Sequence, residues 1–172
     1  DAIDMLYRKG NIEVGKFEML FFGDCESWNG RSLRDYIVDK GLGELVKLKG
    51  YVDKSRLSEE LNNASILVNF AQNQPAQLPA KTFEYLATGK MSLVFTEGDS
   101  DTARIIQETK SGYIVNSDAL ETEKTLMDLY VAHTSERSTY NSRFDLAQKY
   151  SRSQQNSQYL GVIESLFVDE AK

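Results

Sequence analysis

Short apolar runs alternate with helix-sized amphipathic segments along this chain, and that alternation limits its fold more than any other feature. The runs Phe17–Phe22, Val46–Val52, Ile66–Phe70, Ser92–Phe95 and Gly112–Val115 are each four to seven residues long. Between them lie segments with helical spacing. Arg31–Lys40 turns Leu33 and Ile37 inward. A stretch capped by Asp53 or Ser55 carries Leu57 and Leu61. Another opens at Pro79, carries Phe83, Leu86 and Ala87, and stops at Gly89. A short one spans Thr102–Thr109. Ala2, Ile3, Met5 and Leu6 read as the last turns of a helix stopped at Gly10, and the chain is helical and polar-rich from Ser117 onward. Apolar strands joined by helices of about ten residues imply a parallel sheet with helices on both faces. The expected fold class is therefore α/β, a three-layer Rossmann-like domain formed by residues 1–172 as a single unit. In such sheets ligands bind beyond the carboxyl ends of the strands. Those ends are Gly23-Asp24, Gly50-Tyr51-Val52, Phe70-Ala71-Gln72, Thr96-Glu97 and Val115-Asn116.

Composition removes several classes of function. The net charge is -6 and no basic stripe is present, so a nucleic-acid partner is not expected. No apolar run approaches the roughly 18 residues of a spanning helix, and no basic-then-apolar leader precedes the first helix. One cysteine, Cys25, fits a reducing, cytoplasmic setting, and with one histidine, His133, it makes no thiolate or imidazole metal cluster. No metal or organic cofactor is expected.

The two prolines, Pro75 and Pro79, flank the most informative stretch, from Asn69 to Lys90. It reads as a buried strand, a polar loop and the start of a helix. Proline at a first helical position fixes φ and donates no N–H. The next amides, of Ala80, Lys81 and Thr82, then lack intrahelical acceptors, and the helix dipole makes them an anion site. Lys81 adds a positive charge and Thr82 a hydroxyl. Glu84, one turn further in, can accept two ribose hydroxyls. Two plainer roles stay open: Glu84 favours a first helical turn with no ligand, and Lys81 and Glu84, three apart, can pair.

The string Pro79-Ala80-Lys81-Thr82-Phe83-Glu84-Tyr85-Leu86-Ala87-Thr88-Gly89 resembles the Pro-x-Lys-x-Phe-Glu-Tyr-x-Ala-x-Gly motif of GT-B-type glycosyltransferases, especially the retaining enzymes of family four. Leu48–Val52 resembles that family's strand and Gly-x-Val turn, Leu57–Phe70 its next helix and buried strand, Ser111–Val115 its following strand, and Tyr150-Ser151 the start of its closing helix. The resemblance spans residues 17 to 168. It implies the C-terminal, donor-binding half of a GT-B fold and transfer of a sugar from a UDP- or GDP-sugar to a glycan, lipid or small acceptor. By residue, it implies that Glu84 binds the donor ribose, that Ala80, Lys81 and Thr82 face the diphosphate, and that Tyr51, Val52 and Asp53 contact the base, largely through backbone. The loop from Gln72 to Leu78 reaches the sugar. Many members carry a second glutamate where this chain has Ala76, so Gln74 and Gln77 are the candidates for sugar contact. The resemblance further implies that no metal is obligatory and the nucleotide sugar is a substrate, that a diphosphate-clamping turn and an acceptor domain precede residue 1, and that the full enzyme can associate with the inner face of a membrane. A chain without them should bind donor weakly and transfer nothing.

Two other classes compete. One is a nucleotide-sugar epimerase of the same architecture. The other is a non-catalytic or receiver-like regulatory module using Asp24, Glu97, Asp99 and Asp101 around a divalent metal. Asp101 followed by Thr102 also reads as a helix cap, and Thr96, Glu97 and Ser100 are placed to approach a sugar phosphate. The closing face of Tyr159, Leu160, Ile163, Leu166 and Phe167 is expected to be core or a domain interface.

Overall fold

A computed structural model of the chain describes residues 1–28, 30–73, 77–135 and 144–168, and the side chains of all of these except 144, 167 and 168. The chain divides into two compact units. The first comprises Asp1–Asn63 and Ser117–Thr139, the second Ala64–Asn116 and Tyr140–Lys172.

The first unit opens with helix α1 (Ala2–Arg8), followed by strand β1 (Met19–Phe22). A two-residue hairpin, β2 (Ser27–Trp28) against β3 (Arg31–Ser32), leads into α2 (Leu33–Asp39). The sequence spacing starts that helix at Arg31. It starts two residues later because Ser32 holds an extended backbone and its hydroxyl accepts from the Asp35 amide at 3.1 Å, which makes Ser32 the N-cap. Strand β4 (Val46–Gly50) pairs in parallel with β1, Met19 opposite Val46. Helix α3 (Lys54–Asn63) follows, and α6 (Ala119–Thr134) returns to pack on α1. Leu6, Ile12, Ile37, Leu42, Leu45 and Val46 form the core, with Phe17, Leu126 and Tyr130 against it. At its edge Asp4 accepts from the Arg8 guanidinium at 2.6 Å and the Lys40 ammonium at 3.1 Å. Those cations, Arg8 first, hold the Asp4 carboxyl below the usual carboxylate range against the opposing effect of burial. Trp28 is exposed and tilts onto Tyr36 rather than closing the core.

The second unit is built on a three-stranded parallel sheet. Strand β5 (Ile66–Phe70) pairs with β6 (Met91–Phe95), Asn69 opposite Val94, and β6 pairs with β7 (Gly112–Val115), Val94 opposite Ile114. As the middle strand, β6 has Ser92, Leu93 and Val94 buried. Helix α4 (Ala80–Thr88) joins β5 to β6, and α5 (Asp101–Thr109) joins β6 to β7. Gly89 ends α4 in the left-handed region, φ 67°, where a side chain is disfavoured. The cap of α5 is Ser100, not Asp101: the Ser100 hydroxyl accepts from the Ala103 amide at 3.1 Å, while Asp101 is already helical and pairs with Arg104. The unit closes with α7 (Phe144–Ala147), a 3-10 turn (Gln148–Tyr150) and α8 (Arg152–Val168). Tyr159, Leu160 and Leu166 of α8 are exposed, so the described part of this face is not core. The physical reason is that α8, among the described residues, packs chiefly on the 3-10 turn before it.

The architecture is thus mixed α/β with parallel strand pairing and intervening helices. No helix among the described residues is long and apolar enough to cross a membrane.

Gly112 marks the tightest point of the β6–β7 pairing. A Cβ there would press into the backbone carbonyl of Ser92, closer than real Cβ atoms approach. Backbone held by ladder bonds cannot yield as a flexible side chain would. Gly112→Ala is therefore expected to destabilise the chain by about 1–3 kcal/mol, read as a lower denaturant midpoint. An unchanged midpoint would refute this account of the pairing.

Candidate functional site

The carboxyl edge of the β5–β6 pair carries the densest set of polar groups in the second unit. The Ala71 amide donates to the Phe95 carbonyl at 2.8 Å, so the strands stay joined one residue past their ends. Phe70 and Phe95 stack there with centroids 5.0 Å apart. After β5 the chain enters the loop that delivers it to α4.

Helix α4 begins one residue later than a proline at the first helical position would start it, because Pro79 has an extended ψ of 134°. Pro79 is its N-cap, with φ -60° and no side-chain cap bond. The amide of Thr82 donates to the Pro79 carbonyl at 2.9 Å. The side chain of Thr82 is 1% exposed, and its hydroxyl accepts from the Asn69 side-chain amide at 2.9 Å. Thr82 thus has both its amide and its hydroxyl engaged within the fold, and supports the helix start. Ala80 and Lys81 are exposed, and as first-turn residues their amides have no acceptor inside the helix. Glu84 is exposed one turn further on. Lys81 and Glu84 do not pair, unlike Lys16–Glu13 and Arg104–Asp101, which lie the same three residues apart. The Tyr85 hydroxyl, half-buried beside them, has its pKa raised first by burial and then by the Glu84 charge.

The inward face of α4 is ordinary packing. Leu86 is buried and Phe83 meets Tyr150 at 6.2 Å between centroids. Among the residues assigned to sugar contact, Gln77 is exposed in the loop, while Gln74 and the neighbouring Ala76 lie outside the described residues.

Residues after β6 brace this edge. The Thr96 hydroxyl donates to the Ala71 carbonyl at 3.3 Å and lies 2.8 Å from the Ser100 hydroxyl. Thr96 and Ser100 are buried, so neither hydroxyl is presented at the surface. Glu97 accepts from the Asn73 amide through Oε1 at 2.9 Å, and Asn73 is held at φ 59°. Its Oε2 is enclosed without a hydrogen-bond partner. That Asn73 amide is the main cause of a Glu97 pKa below the usual range.

In the first unit, the turn after β4 holds Tyr51, Val52 and Asp53. Tyr51 is 84% exposed. Asp53 caps α3: its Oδ1 accepts from the Ser55 hydroxyl and from the Arg56 amide at 2.8 Å, and these bonds, Ser55 first, lower its pKa. Asp24 accepts from the Glu26 amide at 3.3 Å. Among the described residues no three His, Cys, Asp or Glu side chains are arranged to hold a metal ion. An open polar hollow of about 420 Å³, lined by Ser55, Arg56, Glu59, Glu60 and Asn63, lies along the flank of α3 and includes no strand end.

Asn69 and the Glu97–Asn73 tie escape a reading by motif. Asn69 carried a signal all the same: it is the polar residue inside the run Ile66–Phe70, in a position that strands disfavour. The Glu97 tie spans 24 residues and left no local mark.

Comparison with models of known protein families finds no match, and comparison with curated proteins finds none either.

The sign of the Glu97 shift sets its pH behaviour. A lowered folded pKa means the tie to Asn73 stands at full strength above the ordinary carboxylate range and is lost as pH falls through the lowered value. At neutral pH Glu97→Gln should therefore speed hydrogen exchange at the Asn73 amide, and the difference from wild type should close in acid. Equal exchange at neutral pH would remove Glu97 as the anchor of this loop.

Proposed function

We propose that this chain is the donor-binding part of a GT-B-type glycosyltransferase, with a three-layer Rossmann-like arrangement, and that its ligand is a nucleotide diphosphate sugar. The observation that carries the reading is the unpaired state of Ala80, Lys81 and Glu84 at the start of α4, on the carboxyl side of a parallel sheet. Exposed amides, an ammonium and a carboxylate one turn apart match a diphosphate followed by a ribose. The amides and Lys81 attract the anion through hydrogen bonds and the helix dipole. Glu84 accepts from the ribose hydroxyls, a charge-assisted bond. Left unligated, these groups gain nothing from one another, which is how a binding surface differs from a salt-bridged helix flank. The motif resemblance from Pro79 to Gly89 supports the same assignment.

Chemically, such a site stabilises a departing nucleoside diphosphate. Charge grows on the diphosphate as the glycosidic bond breaks, and pre-aimed amides meet it without reorganising. Gln77, in the loop before α4, is proposed to meet the sugar. The transfer step, the acceptor and any membrane association belong to the whole enzyme.

UDP or GDP should raise the melting temperature of the chain, with a stabilisation of about 2.7 kcal/mol at a hundredfold excess over Kd. Glu84→Ala should weaken binding roughly ten- to a hundredfold, the loss of a hydrogen bond to a charged group, and abolish most of the shift. Calorimetric titration reads both. If neither nucleoside diphosphate binds, the glycosyltransferase reading is wrong.

A further inference from the structure

Asn69 is the least expected residue in the second unit's core. It lies within β5, opposite Val94 of β6, and is 1% exposed. A leucine there would bury no unsatisfied polar atom. The asparagine instead satisfies only half of its side chain: Nδ2 donates to the Thr82 hydroxyl at 2.9 Å, while Oδ1 is enclosed with no partner. A buried, unbonded polar atom opposes folding, so stability alone does not account for an asparagine here.

What the single bond does is local and specific. It joins the strand to the first turn of α4, at the residue following Ala80 and Lys81. The helix has no side-chain N-cap, because Pro79 supplies none. Besides the helix's own bonds, its first turn is held by the Thr82 amide donating to the Pro79 carbonyl and by the Asn69 side-chain amide donating to the Thr82 hydroxyl. One bond is along the chain, and the other reaches across from the sheet. With Asn69 absent, the turn loses its tie to the sheet and can tilt or fray. The Ala80 and Lys81 amides then lose their common direction.

We propose that Asn69 is a positioning residue: through its buried bond to Thr82 it aims the first amides of α4 at a bound diphosphate. This rests on the nucleotide-sugar reading of the same helix start. Asn69 touches no ligand and acts only through Thr82. The unpartnered Oδ1 is then a tolerated cost of holding the helix start in a binding-ready orientation, as occurs where function and stability compete.

The test separates aim from mere support. Asn69→Leu fills the same space and removes the orphan oxygen, so the melting temperature of the unliganded chain should hold or rise. Its Kd for UDP or GDP should nonetheless weaken roughly three- to tenfold, the scale of a helix-terminus anion interaction, while its Kd for uridine or guanosine stays at the wild-type value. Thr82→Val, which deletes the other partner, should reproduce the same split, Thr82→Ser should restore wild-type affinity, and the double variant Asn69→Leu/Thr82→Val should cost no more than either alone. A parallel loss of nucleoside and nucleoside diphosphate binding, or a loss that tracks falling melting temperature, would make Asn69 a structural residue only. Unchanged diphosphate affinity in both single variants would overturn the proposal. A wild-type chain that binds no nucleoside diphosphate would instead sink the nucleotide-sugar reading on which it rests.

Discussion

The second unit depends on strand β6 being paired on both sides and closed to water. Ser92, Leu93 and Val94 are at most 3% exposed, and β5 and β7 flank them in continuous register. Every backbone group in such a strand must find its partner in the ladder, since no water reaches it. That requirement fixes β5 and β7 at ladder spacing, and so fixes where each strand ends. It also explains Gly112, whose missing side chain lets β7 lie against the Ser92 carbonyl. The carboxyl ends of β5 and β6 then emerge side by side. One delivers the loop that leads to α4, and the other delivers Thr96 and Glu97, which reach back to Ala71 and Asn73.

At the start of α4, two demands pull against each other. A helix end gains stability when its first amides are capped, and the proposed diphosphate site needs those amides uncapped. Pro79 removes one amide from the count and offers no side-chain acceptor. The Asn69–Thr82 bond then steadies the turn from its buried side, leaving the exposed side open. Lys81 and Glu84 follow the same logic, since neither is neutralised by its neighbour.

The first unit solves a simpler problem. Leu6 and Leu45 are wholly buried, and α1, α2 and α6 enclose them around the β1–β4 pair. Its charged groups mostly serve the fold. Asp4 bridges Arg8 and Lys40, and Asp53 caps α3. Tyr51, two residues before that cap, leaves a large aromatic ring in solvent, as Trp28 does.

The sequence by itself determined the order and type of the elements. Apolar runs and helical spacing located Ile66–Phe70 and Gly112–Val115 to the residue, because strand burial and helix periodicity are written locally. It also placed a proline, a lysine and a glutamate at the start of α4, since these are neighbours in the chain. Caps were less legible: Ser32 caps a helix that spacing began at Arg31, and Ser100 took the role read for Asp101, because a hydroxyl and a carboxylate one residue apart compete nearly equally for the same amides. The hairpin Ser27–Ser32 left too short a pattern to see. Only the tertiary structure decided which groups at the site are spent and which are available. Thr82 read as a ligand hydroxyl until β5 was beside it, and Asn69 read as one polar residue in a strand until α4 was above it. Glu97 and Asn73 met only through the pairing of β5 with β6. Hydrogen bonds between residues distant in sequence depend on where the strands end, and strand register is a property of the folded sheet rather than of any segment within it.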